Sequence, residues 1–133
     1  MTNTETASLN TTPVSNADIV ARGWDAVANG DWDRLISDYT ENMVLVMPGQ
    51  GDVLNGRQAF RDMLDNLGAG LPPGFEILSI RQIGETGEVV SVINWKSDKI
   101  PGGSQLAVLF RFTGDKVQEE RWFIDTEQWK AAF

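Results

Sequence analysis

From Phe75 to Asp125 the chain is a succession of strand-like segments separated by turn residues, and this stretch limits the fold more than any other. Phe75–Ile83 is followed by a turn at Glu85-Thr86-Gly87. In Glu88–Lys96, Val90, Val92 and Asn94 fall on one face, and Val89, Ser91, Ile93 and Trp95 on the other. A polar loop is expected over Ser97–Gly103. Ser104–Phe112 then alternates Leu106, Val108, Phe110 and Phe112 with Gln105, Ala107, Leu109 and Arg111. Thr113-Gly114-Asp115 reads as a hairpin turn before the closing strand, Lys116–Asp125. In that strand, period-2 alternation puts Val117, Glu119, Arg121, Phe123 and Asp125 on one face, and Gln118, Glu120, Trp122 and Ile124 on the other. Both faces mix charge with apolar bulk, which suits a strand lining a space. Asp125 then has two readings. It projects into an apolar cavity as an acid or base, or it N-caps a short helix over Thr126–Phe133 and meets solvent.

The first half is helical in pattern. Ser15-Asn16-Ala17-Asp18 opens a helix as a capping box with Asp in the place of Glu, Ile19, Val20, Trp24 and Val27 form its stripe, and Gly30 ends it. Asp31 caps a second, shorter helix, in which Trp32, Leu35, Ile36 and Tyr39 follow the i, i+3, i+4, i+7 spacing. Met43–Met47 is a continuous apolar run ended by Pro48-Gly49. It reads as a buried strand, with a turn at Gly49–Asp52 and a short return strand at Val53-Leu54. Arg57–Leu67 is a third helix with Ala59, Phe60, Met63, Leu64 and Leu67 on one face. Gly68, Gly70 and Pro72-Pro73 stop it. Helices first and strands later predict an α+β fold, with a mainly antiparallel curved sheet wrapped around the N-terminal helices to leave a cone-shaped interior. The expected organisation is a mobile tail over residues 1–14 and one domain over residues 15–133.

Composition narrows the chemistry. The 133 residues include no histidine and no cysteine, which removes Ser–His and Cys–His nucleophile systems, His-ligated zinc and disulfides. Acid–base work falls to carboxylates, lysines or Tyr39, the one tyrosine. A net charge of −8 argues against nucleic acid and anionic membrane surfaces. The polar N-terminus lacks a secretory pattern, and no apolar run is long enough to span a bilayer, so a cytoplasmic setting is expected. No cofactor is expected.

Three stretches, Trp24–Trp32 with its Gly-Asp-Trp link, Leu54-Asn55-Gly56-Arg57 through Phe60, and Val117–Asp125 running into Thr126, occur in the order that resembles the nuclear-transport-factor-2-like superfamily, especially its SnoaL-like branch. The resemblance spans roughly residues 16–130. It implies a cystatin-like cone with a ligand cavity, a homodimer, and a function that the fold alone does not fix. Ketosteroid isomerases of this superfamily use two acids whose positions resemble Met47 and Val108, so that constellation is missing. In SnoaL-type polyketide cyclases an Asp on the last strand is acid and base in an aldol closure, and Asp125 resembles it. In limonene epoxide hydrolases an Arg-x-Asp resembles Lys96-Ser97-Asp98, paired with an Asp resembling Asp125. Here Lys stands in place of the planar Arg fork.

The candidate catalytic groups are therefore Asp125, Asp98 and Lys96, with Tyr39, Met47, Trp24, Asn94, Arg121 and Phe123 as candidate pocket walls. Each also has a plainer reading: a strand end for Lys96 and Asp98, core packing for Tyr39, Trp24 and Met47, and a surface ion pair for Arg121 with Glu119. The expected activity is cofactor-free proton transfer on a small apolar oxygenated molecule, of the aldol cyclase or isomerase kind. Epoxide hydrolysis and a non-catalytic binding or dimerisation module are the alternatives. The long apolar strands predict an outer sheet face covered by a second subunit.

Overall fold

The computed structural model describes residues 15–47 and 52–133. The expected tail and most of the Gly49–Asp52 turn lie outside the described residues. The architecture is α+β: helices α1 (Asn16–Asn29), α2 (Trp32–Ile36) and α3 (Arg57–Leu67) pack into one six-stranded, curved and unclosed sheet. The strands are β1 (Tyr39–Met47), β2 (Asp52–Asn55), β3 (Glu76–Ile83), β4 (Glu88–Ser97), β5 (Ile100–Thr113) and β6 (Lys116–Phe123), with a last helix, α4 (Thr126–Ala131). Their order across the sheet is β2-β1-β6-β5-β4-β3. All neighbours are antiparallel except β1 and β6, which run parallel because the chain crosses the whole sheet between them.

Local chemistry sets the element ends. The Ser15 hydroxyl accepts from Asp18 N–H, and the Asp18 carboxylate accepts from Ser15 N–H, which completes the expected capping box. Gly30, at φ 66°, closes α1 in the left-handed conformation, and the Asp31 carboxylate then accepts from Arg34 N–H to start α2. Trp24 ties α1 to the sheet: its indole N–H donates to the buried Ser91 hydroxyl at 3.1 Å, and Ser91 donates on to Gln82 at 2.7 Å. The same ring packs edge-on against Phe110 and Trp122. At the far end of the sheet, Phe75 stacks on Trp95 and Trp129 of α4 meets both edge-on, so α4 closes that end of the core with aromatic surface.

Three sequence expectations are corrected here. Tyr39 is the first residue of β1, not the last of a helical stripe, because α2 stops at Ile36 and the Asp38 carbonyl already accepts from Val117 N–H. The loop expected over Ser97–Gly103 is a tight turn at Asp98-Lys99, since Ser97 already pairs with Ile100. The third correction moves a charge. Arg111 pairs with Glu119, yet Phe112 pairs with Val117, so Gln118 is an extra residue on β6. This β-bulge breaks the alternation, as such insertions do. Val117, Glu120 and Trp122 face the interior together, and Glu119, Arg121 and Phe123 face outward.

Candidate functional site: an apolar cavity with one buried carboxylate

The concave side of the sheet and the three helices enclose a cavity of about 130 Å³. α1 contributes Val20 and Trp24, β1 Tyr39, Leu45 and Met47, α3 Phe60, Met63 and Leu64, and the sheet Phe110, Val117 and Trp122. Leu67 and the Ala69-Gly70-Leu71 segment form one side of the mouth, and Leu67 is 73% exposed there. The polar groups in this lining are few: Asp38, the Tyr39 hydroxyl and Glu120.

Glu120 is 7% exposed. Its Oε1 accepts from the Tyr39 hydroxyl in a short hydrogen bond, and its Oε2 accepts from the Trp122 indole N–H at 2.6 Å. No cation contacts it among the described residues. Burial pushes its carboxyl above the ordinary carboxylate range, while the bonds from Tyr39 and Trp122 pull the other way by favouring the charged form. Burial and the neighbouring Glu120 charge push the Tyr39 hydroxyl well above its ordinary value. Asp38, 6% exposed, is compensated: Arg22 of α1 grips it at 2.6 and 2.9 Å through two nitrogens. Arg57, at the start of α3, donates to the Tyr39 carbonyl at 3.2 Å and holds the first residue of β1 against that helix.

The model of the SnoaL-like domain matches residues 20–120, a span that runs from α1 through every strand and ends at the cavity carboxylate. The chain belongs to the SnoaL-like domain family. Solved structures with this fold include an NTF2-like protein from Burkholderia xenovorans LB400, at 18% identity and TM-score 0.69 over 88% of this chain and 94% of that one. TerC co-crystallised with polyporic acid superposes with TM-score 0.71 at 14% identity, over 88% of this chain and 96% of that chain. A candidate polyketide cyclase from Xanthomonas campestris pv. campestris gives TM-score 0.67 at 17% identity, over 88% and 96% of the two chains. No curated protein matches the chain.

In this SnoaL-like domain, three of the expected pocket residues, Trp24, Tyr39 and Met47, line the cavity. The rest lie elsewhere. Asp125 follows the end of β6, is exposed, and caps α4: its Oδ1 accepts from Gln128 N–H at 3.0 Å, and its carbonyl accepts from Trp129 N–H at 2.9 Å. It borders a shallow open groove with Asn94, Ser79 and Gln105, on the opposite side of the sheet from the cavity. Arg121 and Phe123 sit on that same outer face because of the bulge at Gln118. Arg121 donates to Glu119 at 2.9 Å, and Phe123 is 52% exposed. Lys96 points outward to Glu76 at 3.8 Å. Asp98 lies in the β4–β5 turn, its N–H on the Pro73 carbonyl and its carboxylate packed over Gly74, where no side chain would fit. No hydrogen bond or ion pair joins Lys96, Asp98 and Asp125 among the described residues, so the epoxide-hydrolase constellation is not assembled.

Sequence reasoning missed Glu120 as the cavity acid. The available signal was the Glu-x-Trp spacing of Glu120 and Trp122, which keeps the two on one face whatever the register upstream.

Proposed function

We propose that this SnoaL-like domain binds a small, mostly apolar, oxygenated molecule in the cavity and that Glu120 moves a proton on it without a cofactor, in a reaction of the aldol cyclisation or isomerisation type. The observation that supports this is an uncompensated carboxylate buried among aromatic walls and oriented by Tyr39 and Trp122. Burial brings a carboxylate's proton affinity closer to what neutral-pH proton transfer needs. As base, Glu120 takes a proton from a carbon next to a carbonyl, and the electron pair moves onto the carbonyl oxygen, to which the newly protonated Glu120 carboxyl donates. As acid, the same carboxyl returns the proton to oxygen or carbon. Tyr39 positions the carboxylate and accepts from the ligand through its own oxygen. The candidate polyketide cyclase and the TerC–polyporic acid structure lend support through shared fold alone.

Glu120→Gln tests this. It keeps size and burial but removes the base, so loss of turnover with retained ligand uptake supports the role, and unchanged turnover on a confirmed substrate refutes it. A second reading, a binding module without turnover, is favoured by both Glu120 oxygens already being held by protein donors. Uptake with no change in any ligand over a wide pH range selects that reading.

A homodimer belongs to the same proposal. One outer-face row, Ile83, Val90, Leu109, Arg121, Val46 and Val53, crosses all six strands in register and is apolar except at Arg121. Ile83 and Val53 are each 48% exposed. A face of this kind fits a second copy of itself. Sedimentation would show a dimer that Leu109→Glu dissociates, and a wild-type monomer would refute it. A cytoplasmic setting is proposed on the lack of cysteine, and cell fractionation tests it.

A further inference from the structure

The hydrogen bonds around the cavity divide unequally between donors and acceptors. Among the described residues, each side-chain polar hydrogen of the lining is already committed inside the protein. The Tyr39 hydroxyl and the Trp122 indole N–H go to Glu120, and the Trp24 indole N–H goes to Ser91. Arg22, which is outside the lining, gives two nitrogens to Asp38. What remains is accepting capacity: the Tyr39 oxygen, and the lone pairs of Glu120 and Asp38 that these bonds leave over. Among the described residues no lysine or arginine lies in the lining. An anionic head would bring negative charge beside Glu120 and Asp38 and find no free side-chain donor there among the described residues, which in a low-dielectric site is strongly unfavourable. A head that donates would satisfy lone pairs and, if it carried positive charge, would compensate the buried carboxylate. The volume adds a size limit. A dry apolar cavity of about 150 Å³ takes up benzene, so about 130 Å³ holds one ring, with anything larger projecting past Leu67 at the mouth.

We propose that the cavity selects a one-ring ligand whose polar head donates a hydrogen bond and carries no negative charge, a hydroxyl or an ammonium, received by Glu120 and the Tyr39 oxygen. This rests on the cavity's being the ligand site. It makes carboxylates and other anions the excluded class, and it restricts the reacting carbon to one ring's reach of Glu120.

The test is a matched set of one-ring probes against the full chain: p-cresol (hydroxyl), benzylamine (ammonium), toluene (no head) and p-toluate (carboxylate). Binding is followed by tryptophan fluorescence, since Trp24 and Trp122 line the cavity, and by calorimetry, at a pH well above the ordinary carboxylate range. The expected result is that p-cresol or benzylamine binds at least about tenfold more tightly than toluene and p-toluate, a difference of roughly 1.4 kcal/mol. Whichever of the two binds better identifies the head. Tyr39→Phe, checked for an unchanged fold by circular dichroism, should weaken the better of them severalfold and leave toluene alone. Glu120→Gln, which offers a donor in place of an acceptor, should narrow the gap to p-toluate. If p-toluate binds as tightly as p-cresol and benzylamine, or toluene does, the selection is overturned while the cavity stands as a binding site. If none of the four binds, the cavity reading fails with it.

Discussion

Two carboxylates lie five residues apart near the chain's end, and their surroundings could hardly differ more. Glu120 sits in the wall of an enclosed cavity, held by Tyr39 and Trp122 and facing aromatic rings. Asp125 stands at an open groove on the opposite side of the sheet, accepts from the first turn of α4, and is otherwise wet. Both are single negative charges beside large apolar residues in the sequence. What separates them is solvent: removal of water raises the proton affinity of the first. The second caps α4 at the sheet's open side.

The contrast is sharpest in activity. Glu120→Gln should lower turnover by about 10²–10⁴-fold, the usual contribution of a positioned acid or base. Asp125→Asn should leave it nearly unchanged. Comparable losses in both would erase the distinction. Next in size, Trp24→Ala removes a buried ring that joins α1 to Ser91, Phe110 and Trp122. It should cost about 3–5 kcal/mol in chemical denaturation and open the cavity.

A smaller effect concerns pH. Glu120 has a raised proton affinity in the fold, so between its ordinary value and its folded value the native state holds a proton that the unfolded chain has lost. Stability should therefore fall as pH rises through that window and level off above it. Glu120→Gln should flatten that slope in denaturation curves taken across the acidic-to-neutral range. Smaller again, Asp125→Ala should cost about 1 kcal/mol through the lost cap, with ligand binding intact. Lys96→Ala should change stability by less than about 0.5 kcal/mol, since its partner Glu76 is exposed and the pair is solvent-screened.

Much of the fold was legible in the sequence because its signals are local. Ser15 and Asp18 make a capping box from adjacent residues, Gly30 ends α1 by its own conformational freedom, and the alternation in Glu88–Lys96 assigned the two faces of β4 correctly. The α+β class followed from the order of such segments. Trp24, Tyr39 and Met47, for which core packing was the plainer reading, line the cavity, and Tyr39 reaches it from a strand instead of a helix.

What the sequence determined by itself was the inventory of possible chemistry. With no histidine and no cysteine, acid–base work had to fall to carboxylates, lysines or the single tyrosine. Which carboxylate would be enclosed was decided only by tertiary structure. One unpaired residue, Gln118, shifts the register of β6 against β5, so that Glu120 turns inward and Arg121 and Phe123 turn out. A bulge leaves little mark on composition or periodicity, because it arises from how two strands pair, and every side chain beyond it changes face with that pairing.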